Sequence, residues 1–437
     1  MTENNKNNKK IIIFLMMTAV VCSHFLFAQN KILSLEECLN ISEKNNPELI
    51  AQQYKIKEMS YKYYQDISNI LPQIDANLSY LRYDWELPSK KALFGVSLDD
   101  YYAEISLKQV LFGGGKNIAK IKSSRATLEA EKQKYEQLRR ATHLSVKKAY
   151  YELLRTKFAL ETQEKLIEKL KEQYNIAQLL YNSGKTTNLD VLKIQTQLAS
   201  AEDALDNLKN LVYTKSLLLG QTMGINEPVE IKLFLPQIDE KIKINTFCVD
   251  NGFIDNPELK YIDSLVNKAK YDISAEIGDG FLTISFRASE FWEDKVFFPD
   301  HKNWYMGVGL NMPIFHSGAI ISRINQAKYK KMQVIETQKQ VKLNLTVRFQ
   351  SARATIIDKL NRLKTIKKVL DLSKETLTTA ELKYNAGKIT ATELLDAQTM
   401  WLNSELNYIN NIIDCKISLS EIEYICPKAV SLEVNNK

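Results

Sequence analysis

Glycine and proline are scarce in this chain of 437 residues, 14 and 9 respectively, and where they are missing says more than how few there are. Residues 116–183 contain neither, and nor do residues 319–386. With no helix breaker to interrupt it, each stretch can run as one helix of about 66 residues, roughly 100 Å at 1.5 Å per residue. No ordinary globular core hides a helix that long.

Long apolar runs are missing too. After residues 11–21 nothing approaches the roughly 20 apolar residues of a spanning helix, so contact with a membrane would have to be made by strands. Constellations that carry chemistry are also lacking. His143, His301 and His316 lie far apart with no partner motif. Gly113-Gly114-Gly115-Lys116 lacks the spacing of a phosphate-binding loop, and Asn117 follows where a magnesium site needs Ser or Thr. No catalytic triad, metal spacing or cofactor fingerprint is present, so neither an enzyme nor a cofactor is expected. The net charge of +7, about +5 once Lys6, Lys9, Lys10 and Glu3 are set aside, is spread as alternating Lys and Glu on helix surfaces. That is the pattern of solvated faces, and no nucleic-acid partner is expected.

What the chain does have is a repeat. Shifted by 203 positions, Leu111-Phe112-Gly113-Gly114-Gly115 becomes Ile314-Phe315-His316-Ser317-Gly318, and Tyr181-Asn182-Ser183-Gly184-Lys185 becomes Tyr384-Asn385-Ala386-Gly387-Lys388, with no insertion between. Val146, Leu153, Leu160, Ile167, Tyr174 and Tyr181 recur every seven residues, matched by Phe349, Ile356, Leu363, Leu370, Leu377 and Tyr384. A seven-residue period means a coiled-coil-like seam. Beyond each glycine a second stripe follows: Val191, Leu198, Leu205, Val212 and Leu219, then Leu394, Trp401, Tyr408, Cys415 and Ile422. Each copy is therefore a helical hairpin.

Lys6, Lys9 and Lys10, the apolar run after them and the small Ala28 read as a secretory signal peptide, residues 1–28, with a lipid-carrying Cys22 as the alternative. Cys38 and Cys248 stand nine residues before the prolines of Asn46-Pro47-Glu48-Leu49 and Asn256-Pro257-Glu258-Leu259. A disulfide between them and two small buried helix residues are both open readings. Ser34 with Glu37 forms a capping-box pattern that starts a short helix, and a second helix runs to about Ile70; its partner begins at Pro257.

Four strands are predicted, at about 74–85, 101–112, 281–291 and 303–315. Tyr101, Ala103, Ile105, Leu107 and Leu111 alternate with Glu104, Ser106 and Lys108; Trp304, Met306, Val308 and Leu310 alternate with Tyr305, Gly307, Gly309 and Asn311. The lengths suit a tilted crossing of a bilayer, and Trp85, Phe94, Tyr101, Tyr102, Phe291, Trp292, Phe297, Phe298 and Trp304 crowd the strand ends like an aromatic girdle. Four strands cannot close a barrel, since the smallest have about eight, so copies of the chain must share one.

The expected layout is a first repeat over 29–240, with long helix 116–181 and return helix 187–220. A second repeat over 241–426, with long helix 319–384 and return helix 390–424, precedes a tail of 427–437. The class is mainly α with a small β part.

This order resembles the TolC-type outer-membrane efflux proteins over residues 33–426. The specific residues are Gly184 with Asp190-Val191-Leu192, Gly387 with Glu393-Leu394-Leu395-Asp396, and the Leu111-to-Gly115 corner. The resemblance implies a homotrimer in the outer membrane, with four strands per protomer in a 12-stranded barrel continued by a trimeric helical barrel across the periplasm. It implies a periplasmic adaptor docked at tips containing Gly184, Lys185, Asp190, Gly387 and Lys388, and through it an inner-membrane pump. Two departures stand out: Glu393 replaces the more usual Asp, and no Arg lies between Gly387 and Glu393.

Each candidate also has a structural reading. Gly184 and Gly387 suit left-handed turns. Asp190 and Glu393 lie three residues after Thr187 and Thr390, as the acidic members of capping boxes. Tyr181 and Tyr384 are last rungs of the seams, with a hydrogen bond from Tyr384 to Asp190 as the sharper alternative. In a trimer, Glu393 and Asp396 would ring the lumen with negative charge, and with Tyr384 they form the candidate lumen gate. The expected function is a passive efflux or secretion conduit; the alternative is a secreted coiled-coil protein that never inserts. Intact-mass measurement of the secreted product should give a chain beginning at Gln29, and a lipid-modified Cys22 would overturn that cleavage.

Overall fold

A computed structural model describes residues 32–239, 242–298 and 300–432; the expected leader, 1–28, lies outside them. The chain is mainly helical with one four-stranded sheet. Helix α1 (Leu35–Asn45) opens on Ser34, whose hydroxyl and Glu37 make the predicted capping box. Then come α2 (Pro47–Ser68), β1 (Gln73–Arg82), a short α3 (Pro88–Phe94), β2 (Asp99–Gly113), the long α4 (Lys116–Asn182) and the return helix α5 (Asn188–Met223). The second half runs β3 (Ile242–Ile244), α6 (Phe247–Asp250), α7 (Pro257–Asp279), β4 (Thr283–Asp294), β5 (Lys302–Asn311), α8 (Ala319–Asn385) and α9 (Ala391–Ile425). A 3-10 turn (Pro427–Ala429) and β6 (Val430–Leu432) end the described chain.

The two long helices hold 67 residues each. Along α4, the shorter α2 and α5 follow one another on one side, while α7 and α9 do the same between α4 and α8. The joints are the repeated Asn-Pro-Glu-Leu. The Asn46 Oδ1 accepts the N–H groups of Glu48 (2.9 Å) and Leu49 (3.3 Å), capping α2, while its amide donates to Thr222 O in the last turn of α5 (3.2 Å). Asn256 repeats this, accepting from Glu258 N (2.9 Å) and donating to Ile425 O at the end of α9 (3.0 Å). One side chain thus satisfies donors at one helix start and an acceptor at another helix end.

The seam of the second copy is buried at every rung from Phe349 to Tyr384. In the first copy Val146, Leu153 and Ile167 are buried, Leu160 and Tyr174 are half-buried, and Tyr181 is 46% exposed. The expectation that Tyr181 is a packed rung is therefore corrected. Tyr384 shares one buried cluster with Val191 and Ile194 of the other hairpin, whereas Tyr181 stands outside that cluster. Across the helices, Asp414 of α9 takes Lys359 of α8 at 2.7 Å and also Arg155 of α4. Burial pushes the Asp414 carboxyl up, but the two cations outweigh it and hold it below the usual carboxylate range. The clamp is thus fully made above the ordinary Asp value and is lost only as pH falls through the lowered one.

The sheet runs β1-β2-β4-β5, antiparallel throughout, with β1 and β5 as edges. Its register separates two faces. Ile74, Leu107, Ala288 and Met306 form one row of the apolar face, and Asp75, Ser106, Ser289 and Tyr305 form the adjacent row of the polar face. A bulge between Val110 and Phe112 makes Leu111 the extra residue, so Phe112, opposite Ile284, continues the apolar face in place of the expected Leu111. Strand β1 stops at Arg82 and β5 at Asn311, each before its expected end; Pro313, with no N–H to donate, cannot extend β5. Of the girdle aromatics, Tyr101 meets Tyr80 at a tilt and Phe297 edge-on, but Tyr102 and Phe291 point to the polar face and Phe94 packs there against Phe291.

The stretch expected as a tail is structured up to Leu432, with β6 pairing antiparallel to β3. Beside it, Cys248 is bonded to Cys426, their Cα atoms 6.0 Å apart, while Cys38 and Cys415 are free and buried. Of the two open readings, the Cys38–Cys248 disulfide is therefore corrected, while Cys38 is the small buried helix residue of the other. Equivalent positions of a repeat occupy equivalent places in different halves: Cys38 packs with Val146, Leu153 and Leu219, and Cys248 against Phe349 and Ile422. Cys248→Ser should lower stability by about 2–5 kcal/mol, read as a lower thermal midpoint, with Cys38→Ser causing no loss of a cross-link by non-reducing mass analysis.

Candidate functional site

Both hairpins end in the same turn. Helix α4 stops at Asn182, and Gly184, with φ +72°, donates its N–H to Tyr181 O (2.9 Å) while Lys185 N–H reaches back to Leu180 O (2.8 Å). In α8, Gly387, with φ +69°, donates to Tyr384 O (2.9 Å) and Lys388 to Lys383 O (2.9 Å). These paired bonds are a Schellman motif, whose left-handed residue carries a steric penalty for any residue with a Cβ. Lys185 and Lys388, next in each chain, are exposed at the extremity.

The return helices start on threonines. Thr390 Oγ1 accepts the N–H of Glu393 (3.4 Å), and the Glu393 carboxylate accepts from the Thr390 N–H (2.8 Å) and hydroxyl (3.0 Å), completing the predicted capping box. Those bonds, from the backbone N–H first, hold the exposed Glu393 carboxyl below the usual range. Asp190 departs from the expectation. Its N–H donates to Thr187 Oγ1 (3.3 Å), but its carboxylate takes the hydroxyls of Thr186 (2.8 Å) and Thr187 (3.1 Å). With one methylene fewer than Glu, it makes no bond back to the cap's N–H, and the box is half made.

The two tips are brought together. Ala177 of α4, Val191 and Ile194 of α5, Tyr384 of α8 and Ala391 and Leu394 of α9 share one buried cluster, and Lys193 Nζ donates to Thr392 Oγ1 across the hairpins (2.9 Å). Tyr384 is 2% exposed; burial raises its phenol's pKa and the nearby Asp190 carboxylate raises it further, but its hydroxyl makes no hydrogen bond. The structure thus places Tyr384 as seam packing and not as a donor to Asp190. Glu393 and Asp396 are exposed and three residues apart, so they share one face of α9. Among the described residues no group of three His, Cys, Asp or Glu could hold a metal ion.

Sequence reasoning missed the polar contacts that tie the hairpins just above the tip: buried Gln173 of α4 with Gln398 of α9, and Lys169 with Glu381 of α8 (2.8 Å). Gln398, four residues after Leu394, lies on the buried stripe and was the available signal.

A family model described as outer membrane efflux protein matches residues 38–224 and 255–422. The outer membrane efflux protein BepC of Brucella suis biovar 1 is 22% identical over 334 residues, 73% of this chain and 68% of that protein. The probable efflux pump outer membrane protein TtgC of Pseudomonas putida is 22% identical over 280 residues, 60% of this chain, and the match spans 56% of its length, a little over half. In fold, the Campylobacter jejuni CmeC outer membrane channel superposes with a TM-score of 0.77 at 16% identity, covering 90% of this chain and 85% of that one. The open state of the Neisseria gonorrhoeae MtrE outer membrane channel gives 0.75 at 16% identity, covering 90% and 88%.

Thr390→Ala should cost about 1 kcal/mol of helix-start stability, and Gly387→Val about 1–2 kcal/mol from its left-handed backbone. Amide hydrogen exchange should quicken at residues 385–394 in both variants and stay unchanged in the strands.

Proposed function

The chain belongs to the outer membrane efflux protein family, a family of channel proteins, and from that premise we propose that it is the passive outer-membrane conduit of a tripartite efflux or secretion assembly. One observation carries this reading. Strands of 10 to 15 residues, long enough to cross a bilayer at a tilt, expose an apolar face and two unpaired edges, and each half leads from its strands into a 67-residue helix. An open sheet in lipid would leave the edge N–H and C=O groups of β1 and β5 without partners. Three copies close them into a 12-stranded barrel. The helices ask for the same neighbours, because Val347, Val369 and Leu372 along α8 and Tyr54, Tyr61 and Leu211 along α2 and α5 are exposed in one protomer. A secreted rod that never inserts would leave Leu78, Trp304, Met306, Val308 and Leu310 in water, which disfavours that alternative.

The partners follow from the arrangement: outer-membrane lipid at the apolar face, two further copies at the edges, and an adaptor at the tips around Gly184, Lys185, Asp190, Gly387 and Lys388. Through the adaptor the conduit receives substrate from an inner-membrane pump. The protein catalyses no reaction in this reading. At the tip, Tyr384 packs the seam that holds the entrance, and Glu393 and Asp396 of three copies make the ring of charge that incoming substrate meets.

Purified trimers in a planar bilayer should form channels that prefer small cations, with the preference fading at high salt. Glu393→Gln with Asp396→Asn should weaken the preference and leave the trimer intact, since Gln can still serve the cap. Because the folded Glu393 carboxyl titrates below its ordinary value, its charge should persist through mildly acid pH and be lost as pH falls through that lowered value. Unchanged selectivity in the double variant would reduce the two acids to helix caps. A monodisperse monomer with full strand content would overturn the conduit.

A further inference from the structure

The polar face of the sheet is not free along its whole height. Even-numbered residues of β2 and odd-numbered residues of β4 point to it, from Lys108 and Arg287 up to Tyr102 and Glu293. At the end away from the helices it is covered by the chain's own β1–β2 connection. Lys90, in α3, sets its ammonium 2.6 Å from Asp100 Oδ2 and 2.7 Å from Glu293 Oε1. Tyr83 Oη donates to the same Asp100 oxygen at 3.2 Å. Phe94 packs edge-on to Phe291 with ring centres 6.1 Å apart, and Val96 is fully buried. Gly95 turns the chain at φ +68° beside His301, which is itself held by Asp294 at 2.8 Å.

In the conduit proposed above, this face lines the lumen, and a connection folded onto it projects into the passage. We propose that residues 83–98 form an inward plug that narrows the outer mouth of the barrel, latched by Lys90 to Asp100 and Glu293. The inference rests on the conduit reading, and it assigns a constriction to the outer end, opposite the entrance at the helical tips.

The chemistry of the latch makes the plug two-state. Asp100 and Glu293 are 1% and 5% exposed, and Asp100 Oδ1 has no hydrogen-bond partner. Two carboxylates therefore share one ammonium with little water. Folded inward, the loop gains the burial of Val96 and the Phe94–Phe291 contact. Swung outward, it returns three charged groups to solvent, where their desolvation cost disappears. Removing the lysine leaves two adjacent carboxylates with no cation, and the outward state wins.

The test is single-channel conductance of the purified, full-length trimer in planar bilayers. Lys90→Met should raise conductance by at least about twofold, and Lys90→Arg, which keeps the cation, should stay near the unaltered value. In the converse experiment, Phe94→Cys with Phe291→Cys should join under mild oxidant, identified by peptide mass, and hold conductance at its lower level even when Lys90→Met is added. Unaltered conductance in Lys90→Met trimers, or failure of the cysteine pair to join, would overturn the plug. If the unaltered protein forms no channels at all, the conduit reading fails instead, and that outcome is distinct because it precedes any comparison of variants.

Discussion

Everything in this protomer answers to one constraint: an uninterrupted helix of 67 residues must find apolar partners along its full length. An isolated helix draws little stability from its own hydrogen bonds in water, so its persistence depends on the seam it buries. Among the described residues no second helix of that length packs along α4. The seam is instead covered by shorter helices laid end to end, and such a line has a weak point where one helix stops and the next begins. Asn46 and Asn256 stand at those points, each capping one helix and binding the last turn of another. The proline after each Asn costs nothing there, because the first turn's N–H groups have no partner within the helix.

The same constraint sets the two ends. At the tips the chain must reverse within a few residues so that the return helix can follow the seam back, which calls for a left-handed residue and a strong helix start. Gly387 with Thr390 and Glu393 meets both needs. The first hairpin meets them less fully, with a half-made box at Asp190 and a Tyr181 outside the shared cluster. The duplicated halves are thus unequal where they meet. At the other end the long helix must leave a strand at a corner. Gly114, with φ +61°, passes so close to the Gly278 carbonyl that a Cβ would lie 2.4 Å from its oxygen. Small residues on both sides allow sheet and helices to approach.

Charge is placed by the same logic. Along the helices, paired acids and bases such as Asp414 with Lys359 hold α9 to its neighbours at partly wet positions. In the sheet, the register sends Glu104, Lys108 and Arg287 to one face and leaves the other mostly aliphatic and aromatic, with Glu290 there paired to Lys302. A slip of one residue would exchange those faces, and the bulge at Leu111 keeps the row in phase as β2 turns toward its helix.

The long helices, their seven-residue seams, the Gly turns, both threonine starts and the alternation of the strands were legible in the sequence. Each is a local pattern, written in residues a few positions apart, and helix and strand periods convert such spacing directly into a face. What only the tertiary structure decided involves segments far apart in the chain. Cys248 meets Cys426 across 178 residues and not its repeat-mate Cys38. Lys90 finds Glu293, Tyr384 is buried where the equivalent Tyr181 is not, and Gln173 reaches Gln398. No period encodes those meetings, because they depend on which surfaces the folded halves bring into contact.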